Sequence, residues 1–159
     1  MQCHTRRASV SDAPGACDVV RRSIAELCLD DHGGDARTLS EWLANKTPAD
    51  FEHWIQSDRH VAIAAELDGT LVGFALLNLG GTISLLYVSP EARFHGVSKA
   101  LLSALEREAL DAGISELRLE STRTAQRFYE QSGYASAGER TPGFGCSSCY
   151  PMSRRLSDA

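Results

Sequence analysis

One stretch of this chain has the residue types of an anion site. Val88-Ser89-Pro90-Glu91-Ala92-Arg93-Phe94-His95-Gly96-Val97-Ser98-Lys99-Ala100-Leu101-Leu102 leaves an apolar run, passes a glycine and enters a helical pattern. The first turn of a helix exposes N–H groups without intrahelical partners and the positive end of the helix dipole. Together these hold phosphate. Gly96 carries no Cβ, so its backbone can approach a ligand closely. Ser98 is small and can cap the helix or donate to a phosphate oxygen, while Arg93 and Lys99 add positive charge. A plain strand-to-helix connection also favours Gly and Ser, so the loop alone leaves both readings open. It is neither a Walker loop nor a dinucleotide fingerprint, because G-x-x-x-x-G-K-[ST] and G-x-G-x-x-G are both missing.

A second group of chemical interest is Cys146-Ser147-Ser148-Cys149. A zinc site needs two more ligands at sensible spacing, and no second pair exists. A redox C-x-x-C sits at a helix start, whereas this one precedes a C-terminal strand. The five cysteines, Cys3, Cys17, Cys28, Cys146 and Cys149, are odd in number and the first three are scattered, so they do not form a disulfide framework. No metal is expected.

The elements that must position the loop follow from periodicity. Residues 3–8 read as a first strand. Ser11-Asp12 with Pro14 starts a helix whose apolar face is Val20, Ile24, Leu27 and Cys28. Asp30-Asp31-His32-Gly33-Gly34 ends it in a polar loop. Thr38 and Glu41 have capping-box spacing ahead of Trp42 and Leu43. Thr47-Pro48 starts a further helix whose core face is Phe51, Trp54 and Ile55. Trp42 and Trp54 are read as core anchors.

The period then changes. Runs at 61–66 and 71–79 join through Asp68-Gly69, a hairpin signal. After Gly80-Gly81 comes a strand at 82–88, giving a three-strand meander. Residues 97–112 read as a helix with Val97, Leu101, Leu102, Leu105 and Ala109 on one side and Gly113 past its end. A strand at 114–119 follows, and a strand–helix–strand crossover makes 82–88 and 114–119 parallel. A short helix at 124–131 and a closing hairpin at 134–139 and 147–156 complete the chain. Pro151 cannot donate to a ladder, so it is expected at a bulge or an unpaired position.

Composition sets the limits. The 159 residues suit one domain, 43% hydrophobic and 23% charged. A net charge of −5 argues against nucleic acid as the main partner and is compatible with a cationic substrate such as an amine. No apolar run reaches the ~20 residues of a membrane span. Met1-Gln2-Cys3-His4-Thr5-Arg6-Arg7 leads into a polar segment, so the expectation is a cytoplasmic protein without a membrane partner.

Arg93-x-x-Gly96-x-Ser98 behind Val88-Ser89-Pro90 resembles motif A of the GCN5-related N-acetyltransferase family, usually written [Q/R]-x-x-G-x-[G/A], with Ser98 in place of Gly or Ala. Thr122-Arg123-Thr124-Ala125-Gln126-Arg127-Phe128-Tyr129-Glu130-Gln131-Ser132-Gly133-Tyr134 is similar to motif B, N-x-x-A-x-x-F-Y-x-x-x-G-[F/Y], with Thr122 in place of Asn. The strong part of the likeness runs from about residue 61 to 134, and the element order of the whole chain fits.

The resemblance implies an α/β (α+β) fold over a single domain, 1–159. It would be a mixed twisted sheet of about seven strands, an antiparallel meander and then a parallel splayed pair, with about four to five helices. It implies that acetyl-CoA is the co-substrate and that its pantetheine arm enters between the splayed strands and pairs with backbone. Leu86, Tyr87 and Val88 would hold pantetheine. Arg93, Phe94, His95, Gly96, Val97, Ser98 and Lys99 would surround the pyrophosphate, with Thr122 and Phe128 completing the coenzyme site. Tyr129 matches the family tyrosine that protonates the departing thiolate. Many relatives carry a glutamate base on the strand before the loop. Here the polar residues are Thr82 and Ser84, so the proton would leave through water or through Asp31, His32 or Glu66. The acceptor pocket would lie between residues 23–46 and 143–151, with Cys28, Asp31, His32, Glu66 and Ser84 as its candidates.

The expected function is therefore acetyl transfer to a primary amine, of a small molecule or a protein. A non-catalytic acyl-CoA-binding module of the same fold is the alternative. A second copy of the chain, as in a homodimer, is left open as a partner.

Overall fold

The computed structural model describes residues 2–139, 141–143 and 146–157. Strand β1 (Cys3–Arg7) pairs antiparallel with β2 (His60–Leu67), β2 with β3 (Thr70–Asn78) and β3 with β4 (Thr82–Val88). β2 and β3 are buried almost continuously because helices cover both faces of the sheet. Val61, Ile63, Ala65 and Leu67 turn to one layer and Ala62 to the other.

The first layer is helix α5 (Val97–Asp111), which buries Val97, Leu101, Leu102, Leu105 and Ala109 as the helical spacing predicts. Leu101 and Leu105 are fully buried, each worth about 1.5–3 kcal/mol over exposure. A Cβ on Gly73 of β3 would meet Leu101 at 2.9 Å and Val97 at 3.0 Å, so this glycine lets α5 settle directly on the strand.

The second layer holds α1 (Ala13–Leu27), α2 (Leu29–His32), α3 (Ala36–Leu43) and α4 (Pro48–Gln56). Val20, Ile24, Trp42 and Phe51 pack there against Phe74 and Leu76 of β3. Thr47 caps α4 by accepting from the amide of Asp50 at 3.2 Å, as expected. α3 differs: its cap is Asp35, which accepts from the Thr38 amide at 2.8 Å, so the expected cap Thr38 lies inside the helix. Asp fills that role as well as Thr does. Of residues 30–34, expected as a polar loop, the first three belong to the short helix α2, in which Asp31 and His32 are buried.

β4 carries a bulge. Ile83 faces Leu77 and Leu85 faces Leu76, so Ser84 has no partner across the pair. One extra residue flips every later side chain to the other face. Ile83 accordingly joins the α5 layer, whereas Leu85 and Tyr87 join the α1 layer.

β5 (Glu116–Ser121) starts two residues later than its periodicity predicts. It touches β4 in parallel at a single position, Thr82 opposite Arg118, where the Arg118 amide donates to the Gly81 carbonyl at 2.9 Å. On its other edge β5 pairs over six residues with β8 (Cys146–Arg155). The order across the sheet is β1-β2-β3-β4-β5-β8-β6, with β6 Ala135–Ser136 and β7 Thr141–Gly143 both pairing β8. Seven strands thus lie along the sheet, as expected, with the short β7 off this path. Pro151 stands opposite Glu120 within β8, and its carbonyl accepts from Ala137. In an extended residue the N–H and C=O point the same way, so its missing donor faces the stretch where β8 passes from β6 to β7.

Candidate functional site

Because β4 and β5 pair only at their start, a cleft opens between their ends. It forms a cavity of about 510 Å³. One wall is β4, through Ser84, Leu86, Tyr87 and Val88; the other is residues 119–122 of β5 and its exit, with Ala125, Phe128 and Tyr129 behind. The mouth is the loop entering α5, through Arg93, Phe94, Gly96, Val97, Ser98 and Lys99. Cys28 closes the side toward α1. Of the residues expected around the coenzyme, only His95 is not part of the lining; it is exposed.

Gly96 is the N-cap of α5, with φ 76° and no side chain to offer. Among the described residues, no side chain or loop carbonyl accepts from the amides of Val97, Ser98 or Lys99. Phe94 also has a left-handed φ of 66° and is 92% exposed. The Arg93 guanidinium lies 4.8 Å from the centre of its ring, a cation–π contact at the mouth. Bare amides, a helix dipole and Arg93 make this end of the cleft an anion cradle.

Tyr129 stands at the inner end, on the short helix α6 (Gln126–Gln131). Its ring is buried edge-on against Phe128 and Tyr134, at 5.2 and 5.6 Å. Burial pushes its phenol well above the ordinary value, so the hydroxyl keeps its proton. That hydroxyl has no hydrogen-bond partner among the described residues. Thr122, in the Asn position of motif B, uses its hydroxyl within the loop, accepting from the Ala125 amide at 3.1 Å.

The expected acceptor residues divide. Cys28 and Ser84 line the cleft, and Ser84 does so because it is the bulge residue. Asp31, His32 and Glu66 line neither this cavity nor its neighbour. Asp31 is buried and accepts from the amides of Arg123 at 2.6 Å and Thr124 at 3.3 Å, and from the Thr124 hydroxyl at 2.5 Å. His32 bonds the Ile24 carbonyl through Nε2 at 3.0 Å and accepts from Gly34 through Nδ1 at 3.0 Å, so both ring nitrogens are committed. Glu66 accepts from Arg6 at 2.7 Å. All three serve the fold where they stand.

A second cavity of about 670 Å³ continues from the cleft toward α3 and α4. The two share Ile83, Ser84, Leu85, Tyr87, Leu119, Glu120 and Thr122. Trp42 is a core residue, as expected, and Trp54 packs half-buried against the same core; both also line this second space. So does Cys149, which is buried. Residues 144 and 145 of the expected acceptor stretch 143–151 lie outside the described residues, as does the side chain of Cys146.

Lys46, Arg118 and Glu120 all line the second cavity; Lys46 closes the expected acceptor stretch 23–46 without having been singled out, and Arg118 and Glu120 were missed. The signal for two of them was present. Leu117 and Leu119 face the α5 layer, so alternation turns Arg118 and Glu120 to the other side. Glu120 is a carboxylate on β5, directly across the cleft from the strand on which none was found. Lys46 gave no pattern to read.

The comparisons agree with this geometry. The family model described as acetyltransferase (GNAT) domain matches residues 28–156. An uncharacterised N-acetyltransferase of Mycobacterium tuberculosis is 31% identical over 105 residues, covering 62% of this chain and 67% of that protein. The crystal structure of a GCN5-related N-acetyltransferase from Rhodopseudomonas palustris superposes with a TM-score of 0.86 at 25% identity, covering 98% of this chain and 97% of that one. The PaiA N-acetyltransferase of Thermoplasma acidophilum, solved in complex with coenzyme A, shares the fold with a TM-score of 0.81 at 24% identity, over 98% of this chain and 100% of that one. The chain belongs to the GNAT family of acetyltransferases.

Proposed function

We propose that this protein transfers an acetyl group from acetyl-CoA to a primary amine by direct attack on the thioester. The observation that carries this reading is that one cleft joins the bare amides of α5, the unpaired edge of β4 and the side chain of Tyr129. The pyrophosphate docks at Val97, Ser98 and Lys99, where charge-assisted bonds to backbone N–H are strong. Pantetheine extends along Leu86 and Val88 as an added strand. The thioester then lies near Tyr129.

The amine enters from the second cavity. Its nitrogen forms a bond to the carbonyl carbon, the carbon–sulfur bond breaks, and the thiolate takes the Tyr129 proton. The proton lost by the amine passes to Glu120, directly or through water, since Glu120 lines both spaces.

The test is turnover with acetyl-CoA and a broad amine panel, read as thiol release above the hydrolysis background. Tight acetyl-CoA binding with no turnover on any amine would instead establish the alternative, a non-catalytic acyl-CoA-binding module. The Ser98 and Thr122 departures from the family motifs are what keep that alternative in view.

A further inference from the structure

Lys46 follows α3 and is only 5% exposed, yet it lines the second cavity. A buried ammonium needs hydrogen bonds and normally a countercharge. Its Nζ has only neutral acceptors, Asn45 Oδ1 at 2.5 Å and the Trp42 carbonyl at 3.5 Å. No carboxylate lies within ion-pair distance of it among the described residues. Asp50 acts on it only at longer range, and burial lowers its pKa. Three N–H donors with two neutral acceptors leave room for one more, negatively charged, partner.

The other charged groups around this space are arranged with a direction. Among the described residues that line it, the charged side chains are Lys46, Arg118 and Glu120, with His60 pushed toward its neutral form by burial. Glu120 stands at the junction with the coenzyme cleft, whereas Lys46 lines only the far space. The cavity is thus acidic where the amine must react and basic away from it. The whole chain, at −5, has the opposite bias.

We infer that the acceptor is an amine that also carries a carboxylate, an amino acid in the broad sense, with its carboxylate docked on Lys46 and its amine held toward Glu120. This rests on the acetyl-transfer reading for the amine end. A polyamine would meet Lys46 with like charge and leave the buried ammonium unpaired, which costs discrimination.

The experiment uses glycine, β-alanine, γ-aminobutyrate and 6-aminohexanoate, each against its carboxamide, with acetyl-CoA and the full chain. The graded series allows for the distance between the two ends. For at least one length, kcat/KM for the carboxylate should exceed that for the carboxamide roughly tenfold or more. In Lys46→Met, of similar length and uncharged, that ratio should fall to near one, while calorimetric affinity for acetyl-CoA stays as in the parent. A binding arm separates this inference from the catalytic one. The CoA-loaded protein is titrated with the N-acetylated acids and their amides. No turnover, with a carboxylate preference in binding that Lys46→Met abolishes, would sink the acetyl-transfer reading and keep the Lys46 site. A carboxamide preference, a ratio untouched by Lys46→Met, or no binding of any acid would overturn the inference. Thermal denaturation of Lys46→Met, expected at or above the parent Tm, shows that the variant is folded.

Discussion

Asp31 Oδ1 accepts the backbone N–H of Arg123 at 2.6 Å, joining residues 92 positions apart in the chain. With the two bonds to Thr124, this one carboxylate fixes the turn between β5 and α6 to the N-terminal helices. The same turn starts the helix that presents Tyr129. Asp31→Ala leaves two amides and a hydroxyl short of an acceptor, so it should cost about 2–4 kcal/mol in denaturant unfolding. Asp31→Asn should recover part of that, since an amide oxygen still accepts from Arg123 and its NH₂ can donate to Thr124. Equal stability of the Ala and parent proteins would mean that the turn holds itself.

Tyr129→Phe removes one hydroxyl from a buried ring. Because that hydroxyl has no partner among the described residues, the Tm should move by little. Turnover should fall roughly 10²-fold, the ordinary weight of a general acid, with acetyl-CoA affinity nearly intact. The sign of the pH effect follows from burial, which raises the phenol pKa. The proton donor is therefore intact throughout the range below the ordinary phenol value of ~10, and no alkaline loss of rate below that point should trace to Tyr129. A Phe variant of full activity would remove it from the mechanism.

The legible parts of this protein were those governed by local pattern. Helical spacing marked the buried face of α5, and Asp68-Gly69 marked the β2–β3 turn. The extent of β4 was also readable, but its bulge was not, because Ser84-Leu85-Leu86 breaks alternation without saying which residue is extra. Glu120 was missed for a related reason. The candidates Asp31, His32 and Glu66 came from α2 and β2, whereas it is the splay that brings Glu120 of β5 to the cleft. Asp31 and His32 looked like loop residues because a polar run offers no sign that its side chains are consumed by backbone 92 and 8 positions away. Lys46 follows a helix end without any periodic cue, and only the packing of α3 and α4 buries it.

Gly96 separates strain from charge. Its Cβ position is empty to beyond 4 Å, so a side chain there meets no protein atom. Gly96→Ala should cost about 1 kcal/mol, through the left-handed φ of 76° alone. Gly96→Glu adds a carboxylate at the anion cradle and should abolish measurable acetyl-CoA binding in calorimetry. If Glu binds the coenzyme as well as Ala does, the phosphates do not sit at this helix end.

The last prediction concerns acid stability and rests on Arg6. Its guanidinium bonds Asp12 through two contacts, at 2.8 and 2.9 Å, and Glu66 at 2.7 Å, tying β1 to the turn before α1 and to β2. The Arg6 hydrogen bonds, with the Ser9 amide, hold the Asp12 carboxyl down at about 2, against the opposing effect of burial. A depressed carboxyl stabilises the fold above its unfolded value, near 3.9, and that contribution is lost as pH falls through about 2. Arg6 is 36% exposed on its side chain, so solvent screening limits the effect to about 1–2 kcal/mol at neutral pH. Arg6→Met should therefore lower stability at pH 7 by about that much and flatten its dependence between about pH 4 and pH 2, as read by urea unfolding at several pH values. A variant whose acid profile parallels the parent's would show that the acid sensitivity arises from other carboxylates.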